Sequence, residues 1–404
     1  MNELELYIHI PFCMKKCNYC DFLSAPADEE SQSAYMEGLK REIAFYGNSI
    51  LKGRILDTIY IGGGTPSFVR ESYIGELMKE VRRCFIVRKN AEITIECNPG
   101  SLTEKKLDCY RRAGINRLSI GLQSADEEEL RTLGRAHTFE QFLHNYEMAR
   151  NFGFDNINLD LMDSLPGQTT EKFYRTLFSA VKLNPEHISC YTLTIEKGTP
   201  FYDRYKFDMV KVQAGMTPEE LPTEDVSYQI GKMTQDFLAQ HGYTRYEISN
   251  YAKKGCACRH NTGYWKRKEY LGVGLGAASL VGEVRYSNLR DLKKYIENSR
   301  RLGTGMILDE AAGKEIFGTN LHENVQWVSK NAQMEEFMFL GLRMTEGIEK
   351  SRFYQTFGLT VDYVYGDVIR KLSEEGMLVE TQTRLFLTET GMDLNNYAVS
   401  EFLL

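Results

Sequence analysis

Three cysteines, Cys13, Cys17 and Cys20, lie within eight residues in the stretch "YIHIPFCMKKCNYCDF", Tyr7 to Phe22. Thiolates are soft metal ligands, and this spacing places all three on one short loop. A structural zinc site takes four ligands, usually from paired Cys-x2-Cys units, and no partner pair accompanies these three. Three adjacent thiolates suit an iron–sulfur cube better, with the fourth iron open to an outside ligand. Zinc or unbound thiols are the alternatives on spacing alone. A second cluster is "CACRHNTGYW", Cys256 to Trp265. Cys256, Cys258 and His260 alternate, so a strand would put them on one face. Thiolate and imidazole both ligate heme iron, and Tyr264 and Trp265 offer flat surfaces to a porphyrin. Lys266, Arg267 and Lys268 could pair with propionates. The plainer reading is a solvated basic turn with a structural aromatic pair. His9 reads as a hydrogen-bonded structural histidine. Cys84, Cys97, Cys109 and Cys190 are scattered and read as small buried hydrophobes.

The elements that must position these groups alternate. "LELYIHI", "LDTIYIG", "AEITIEC", "NRLSIGL", "NINLDLM" and "HISCYTLTI" read as strands. Segments 33–45, 74–81, 103–113, 139–152 and 171–181 carry helical spacing. Such alternation predicts a parallel sheet covered by helices, either an open doubly wound sheet or a partial barrel. The unusual residues fall at the carboxyl ends of the strands: the cysteine loop, "GGGTP" (Gly62 to Pro66), Glu96 and Asn98, Gln123, Asp160, then Thr194 and Glu196. In parallel α/β folds that end is the active face. The glycines of "GGGTP" carry no Cβ and let backbone approach a ligand; a plain tight turn would need them too.

Residues 203–226 read as an irregular connection, followed by a helix near 227–241. The stretch 246–279 is rich in glycine and aromatics, and 302–330 is polar and poorly periodic. The expected division is 1–240, 241–300 and 301–404, the last a small helical domain ending in a hairpin, "MLVETQTRLFLTE". That shape is winged-helix-like, but residues 361–404 carry eight acidic against three basic residues, a sign opposed to phosphate contact. The whole chain of 404 residues has a net charge of −7, so no nucleic-acid partner is expected. No apolar run approaches a membrane span, and the first residues read as a strand rather than a secretory signal. With nine cysteines too sparse for a disulfide scaffold, a cytoplasmic protein is expected.

Cys-x3-Cys-x2-Cys with Tyr19 before the third cysteine resembles the motif of radical S-adenosylmethionine (radical SAM) enzymes. The resemblance implies a partial (β/α)6 barrel and a [4Fe–4S] cluster on Cys13, Cys17 and Cys20. It also implies S-adenosylmethionine chelated at the open iron and cleaved to a 5′-deoxyadenosyl radical. By the same resemblance, Gly64 and Thr65 would bind the methionyl end, and Glu96 would accept ribose hydroxyls. Gln123, Arg135 and Asp160 match positions that contact the nucleoside or carboxylate, and Tyr7 would lie beside the sulfonium. "YIHIPFC", "GGGTP", "NRLSIGLQS" and "NLDLMDSLPGQT" together resemble oxygen-independent coproporphyrinogen III oxidases and their relatives. The oxidase branch has a further cysteine two residues after the third, and a long segment before the loop. Here Phe22 stands at that position and six residues precede Tyr7. Cys20-Asp21-Phe22 and "HNTGYW" resemble instead the HemW-type heme chaperone branch. That likeness implies heme as a further cofactor, heme-accepting proteins as partners and a reductant such as flavodoxin or ferredoxin. His260, Cys258, Tyr264 and Trp265 are then the candidate heme contacts. The oxidase activity, two decarboxylations of coproporphyrinogen III, is the alternative.

Overall fold

The apolar runs form six parallel strands that pair in chain order: β1 (Glu3–Ile10), β2 (Ile55–Gly63), β3 (Ile86–Cys97), β4 (Arg117–Gln123), β5 (Ile157–Asp163) and β6 (His187–Thr192). Helices connect them: α1 (Glu29–Asn48), α2 (Glu71–Cys84), α3 (Glu104–Arg112), α4 (Glu127–Leu133), α5 (Phe139–Asn151) and α6 (Thr170–Lys182). The structure is a computed structural model that describes residues 3–309 and 312–404. α1 starts earlier than its apolar spacing predicts because Asp28 caps it, accepting the Ser31 N–H at 2.8 Å.

The segment 203–226, expected to be irregular, is largely helical: α7 spans Pro200–Gln213 and α8 spans Glu224–Gln240. Thr199 caps α7 and Pro200 presets its first turn. Its inner face is short, with Phe201, Tyr205 and Asp208 buried while Phe207 and Val210 are exposed, which hides the helical period. Asp208 gathers the Glu219, Glu220 and Leu221 N–H groups at 2.9, 2.7 and 3.2 Å, tying down the loop that follows.

The same sheet extends past the sixth strand. β7 (Thr244–Arg245) and β8 (Asn250–Ala252) run antiparallel on the β6 side. After α9 (Arg259–Trp265), β9 (Tyr270–Val273) pairs parallel with β1. β10 (Ala278–Val281) and β11 (Val284–Asn288) continue that edge; α10 (Leu292–Ser299) and a hairpin of β12 (Thr304–Asp309) and β13 (Lys314–Thr319) intervene before β14 (His322–Trp327) ends it. The sheet thus runs to Trp327, through the region where a boundary at 301 is expected. The two sheet ends, β14 and β7, do not pair, so the barrel is partial. A second core begins at Met334: α11 (Lys330–Gly341), β15 (Ile348–Glu349), α12 (Lys350–Phe357), α13 (Val361–Glu374), β16 (Leu378–Glu380), β17 (Arg384–Leu387), α14 (Glu389–Asp393) and α15 (Asn395–Ser400). β15, β17 and β16 form its small antiparallel sheet, the expected hairpin among them.

The two faces of the six strands differ in kind. Outward residues such as Leu6, Ile8, Ile61, Ile95, Leu118, Ile120, Leu159 and Ile188 are fully buried against the helices. The inward positions are polar: Glu5 and Tyr7, Thr58 and Tyr60, Glu92, Thr94 and Glu96, Arg117 and Ser119, Asn158 and Asp160, His187 and Ser189. Strand period two puts each set on one face. Most of these groups are buried, so each must be paired within the lumen or carry a desolvation cost.

Glu5 is the least satisfied of them. It is 1 % exposed, and neither carboxyl oxygen has a hydrogen-bond partner. Burial pushes its pKa up from 4.5 to about 8, against the pull of Lys268. The folded state therefore holds a proton that the unfolded chain releases near pH 4.5. Stability attributable to Glu5 falls as pH rises from about 4.5 to 8 and is flat above. Glu5→Gln is expected to raise the melting temperature at pH 9, by an amount corresponding to a few kcal/mol, and much less at pH 5. Equal gains at both pH values in calorimetry would refute this.

Candidate functional site

The carboxyl ends of the strands open on a cavity of about 390 Å³. Cys13, Cys17, Cys20, Tyr19, Gly64, Thr65, Glu96, Gln123, Arg135 and Asp160 all line it, so ten of the expected site residues share one space. Tyr7 does not line it. It stacks behind Tyr60, with ring centroids 6.3 Å apart, and its hydroxyl meets His9 Nδ1 at 3.0 Å.

The cysteine loop leaves β1 and is pinned at several points. Ala25 N donates to the Pro11 carbonyl at 2.9 Å, and Asn18 N donates to the Leu133 carbonyl at 3.0 Å. His9 Nε2 donates to the Leu23 carbonyl at 2.9 Å, so His9 holds the far end of the loop, as its structural reading expects. Its Nδ1 must then be the acceptor of the Tyr7 hydroxyl. Cys13 Sγ lies 3.3 Å from Thr65 Oγ1, and Arg135 Nη1 lies 3.7 Å from Cys17 Sγ. Among the described residues no three His, Cys, Asp or Glu side chains converge as ligands of a single ion. A cube does not ask for that: each thiolate takes its own iron corner, and three thiols spread around one cavity meet this need. A Cβ at Gly64 would lie 2.9 Å from both Cys13 Sγ and the Phe12 carbonyl, so only glycine lets this backbone run against the loop.

The carboxylates stand opposite. Glu96 Oε1 accepts the Tyr60 hydroxyl and Oε2 accepts the Gly63 N–H, both at 3.0 Å, leaving lone pairs for a ligand. Burial, then repulsion from Asp160, raises Glu96 to about 7. Burial raises Asp160 as well, opposed by Asn158 and Ser119, which donate to it at 2.8 and 3.0 Å. Arg135 donates to the Asn98 side chain and, at 2.9 Å, to the Gly121 carbonyl, while its buried Nε has no partner. Gln123 holds φ at +66°, a left-handed conformation that a non-glycine residue rarely adopts. Tyr60, Ser119, Met162 and Tyr191, which the sequence does not mark, also line the cavity, as does Cys97, read from sequence as a small buried hydrophobe. Counting back by twos from Gly62 and Asp160 along their strands would have found Tyr60 and, by its partner, Ser119.

The second cluster is placed differently from expectation. Cys256, Cys258 and His260 do not lie on a strand: Cys258 precedes α9 as its N-cap, and the motif is helical. Glu92 reaches across the lumen to satisfy that helix start, accepting the Arg259 and His260 N–H groups at 3.1 Å each. His260 is 1 % exposed; its Nδ1 meets Thr58 Oγ1 at 2.7 Å and its Nε2 meets the Tyr264 hydroxyl at 3.0 Å. Both nitrogens are used, and burial with Arg117 nearby lowers its pKa to about 3. Cys258 is fully buried, with its thiol pushed up to about 12. His260 and Cys258 are therefore buried at the end of the lumen away from the cysteine loop, with Tyr264 against the imidazole, and none of the three lines the cavity that the cysteine loop opens on. Trp265 alone of the four faces a separate cavity, of about 220 Å³, shared with Phe337 and Arg352. The basic run is also engaged, through Lys266–Glu346 (2.8 Å), Arg267–Glu336 (2.7 Å) and Lys268–Asp57 (3.5 Å). Of the scattered cysteines, Cys84, Cys97 and Cys190 are buried as expected, and Cys109 is half-buried.

Comparison with known proteins adds to this geometry. Residues 7–180 match the Radical SAM superfamily, and residues 328–394 match the HemN C-terminal domain. The chain is 36% identical to "Heme chaperone HemW" of Bacillus subtilis, over 98% of this chain and 98% of that protein. It is 34% identical to "Heme chaperone HemW" of Escherichia coli, over 99% of this chain and 98% of that one. Among solved structures, the radical SAM enzyme coproporphyrinogen III oxidase (HemN) from Escherichia coli superposes with a TM-score of 0.79 at 24% identity. That match covers 100% of this chain and 90% of that one, a likeness of fold.

The approach of α9 to the lumen depends on Gly263, where a Cβ would collide with the Glu5 carboxylate. Gly263→Ala is expected to destabilise the protein by about 1–3 kcal/mol in urea unfolding. An unchanged midpoint and slope would show that α9 can shift without cost, contrary to this packing.

Proposed function

This chain belongs to the HemW heme chaperones of the radical SAM superfamily, and from that premise we propose that it binds heme, a [4Fe–4S] cluster and S-adenosylmethionine and delivers heme to acceptor proteins. The convergence of Cys13, Cys17 and Cys20 with Glu96, Gln123, Arg135 and Asp160 on one cavity carries the cofactor half of this reading. Similarity along the full length to proteins named heme chaperones supports the other half.

In this reading Cys13, Cys17 and Cys20 hold the cluster, which supplies when bound an iron with one open coordination position. Gly64 and Thr65 lend backbone at close range to the methionyl end of S-adenosylmethionine. Glu96 takes the ribose hydroxyls on its free lone pairs, with Gln123 and Asp160 on the nucleoside side. Arg135, beside Cys17, offers its guanidinium to a ligand carboxylate. Tyr19 packs against Phe201 under the loop, with centroids 6.5 Å apart, and Tyr7 supports the floor through Tyr60. Phe22, exposed on the cavity rim, stands at the position where the oxidase branch has a further cysteine, and its lack of a thiol there supports the chaperone over the oxidase. A reductant such as flavodoxin or ferredoxin would meet the protein on the cysteine-loop side. No helix among the described residues is long and apolar enough to cross a membrane.

Two experiments test the proposal. Cys13→Ala, Cys17→Ala and Cys20→Ala are each expected to abolish the visible absorbance of a reconstituted cluster; a full cluster in any of them would refute the ligand assignment. Anaerobic preparations given coproporphyrinogen III and a reductant are expected to yield no protoporphyrinogen IX, while heme titration gives a shifted Soret band. The same band is expected in His260→Ala, because His260 is sealed in the floor. Many turnovers of the oxidase reaction, or no retained heme, would overturn the chaperone reading.

A further inference from the structure

A line of hydrogen bonds runs down the lumen from Asp160 to the base of the barrel, and its donors and acceptors can be assigned by elimination. Asn158 Nδ2 donates to Asp160 Oδ1 at 2.8 Å, so the amide nitrogen of Asn158 faces Asp160. Asn158 Oδ1 then faces His187 Nδ1 at 2.6 Å and Ser189 Oγ at 3.1 Å, and as a carbonyl it only accepts. His187 must therefore carry its proton on Nδ1. Its Nε2 is the acceptor of the Tyr246 hydroxyl at 2.8 Å. The oxygen of that hydroxyl accepts in turn from the Cys258 N–H at 3.3 Å. Ser119 Oγ reinforces the near end, donating to Asp160 Oδ2 at 3.0 Å and accepting from Asn158 Nδ2 at 2.7 Å.

Each link is held by buried structure. Asn158, His187 and Ser189 are 2, 1 and 2 % exposed. Burial, with the Arg117 charge close by, keeps His187 neutral, which the single-proton assignment needs. Tyr246 is clamped from the far side: Thr345 N, from the segment after α11, donates to the Tyr246 carbonyl at 3.0 Å, and Glu247 bridges to Met344. Asp160 thus has its orientation fixed by a row of donors that all point toward it, and the row ends on a tyrosine outside the cavity.

We propose that His187 is a positioning residue: through Asn158 it orients Asp160 as an acceptor toward the nucleoside of S-adenosylmethionine, and Tyr246 fixes the imidazole tautomer on which this depends. The proposal rests on the reading that Asp160 faces that ligand. His187, Asn158 and Tyr246 do not line the cavity, so their effect is expected on affinity for S-adenosylmethionine and not on the cluster. A network of this kind acts as a unit, and removing a far member loosens the near one.

Equilibrium binding of S-adenosylmethionine to the cluster-loaded protein tests this, with melting temperature and cluster absorbance recorded for each variant. Asp160→Asn is expected to lose most of the affinity. His187→Ala is expected to weaken binding about tenfold with cluster absorbance intact, and Tyr246→Phe about threefold. His187→Gln, whose amide N–H can replace the Nδ1 donor, is expected to recover most of the loss. A His187→Ala protein that melts lower yet binds within about twofold of wild type overturns the positioning role, provided Asp160→Asn is impaired. If Asp160→Asn binds as wild type does, the reading of Asp160 falls and the proposal with it. Should His187→Ala fail to fold, Tyr246→Phe decides: it removes one oxygen, and unchanged affinity there refutes the relay.

Discussion

A polar lumen inside an apolar shell is the constraint on which this molecule is built. Six parallel strands need both faces covered. Their outer face is satisfied by helices in the ordinary way, through Leu6, Ile61, Leu118 and their neighbours. Their inner face cannot be, because Glu5, Thr58, Glu92, Arg117, Asn158 and His187 would each be stranded by an apolar filling. Arg117 sets the tone: it is 2 % exposed, and its positive charge bears on Asp160, His187, Cys258 and His260 together. The groups around it are acceptors or neutral rings, as one buried cation requires.

The two ends of that lumen are treated differently. At the carboxyl ends of the strands polar groups are left with spare capacity: Glu96 has free lone pairs, Arg135 has an unpaired Nε, and three thiols line the space. At the other end nearly every group is closed off by α9. Glu92 caps the helix and Thr58 holds His260, while Gly263 is small enough to pass Glu5. Spare capacity at one end and closure at the other give the site its direction. The turn after that helix reaches outward, where Arg267 pairs with Glu336 of α11, so the floor of the barrel is also the seat of the C-terminal unit.

Much of this was legible in the chain. Six apolar runs with polar residues at their ends gave away a parallel sheet and its active end, and ten expected residues share the cavity because the strand ends and the loops that leave them converge there. Three features were hidden. α7 is hidden because its buried face is short, and Phe207 and Val210 stand in solvent between the buried positions. The alternation in "CACRH" suggests a strand, yet the first helical turn of α9 is imposed by Glu92, which lies 168 residues away from His260. Local pattern cannot report such a distant cap. The basic run after Trp265 looks like an anion site, but its partners Glu336 and Glu346 lie on elements whose position only the folded chain reveals.

The route by which the floor is supplied has a consequence for how the protein comes into being. Thr58 is 202 residues ahead of His260, and Glu5 earlier still. A chain emerging from the ribosome can pair all six parallel strands well before residues 246–265 exist. During that interval the lumen is lined with carboxylates, an arginine and a histidine but has no base. The barrel is then a tube wet from both ends rather than a cup. The helix that makes it a cup arrives late and over a long loop, the kind of contact that slows folding. Until it docks, water reaches the inner groups from below, and the acceptors and donors of the lumen can be solvated without one another.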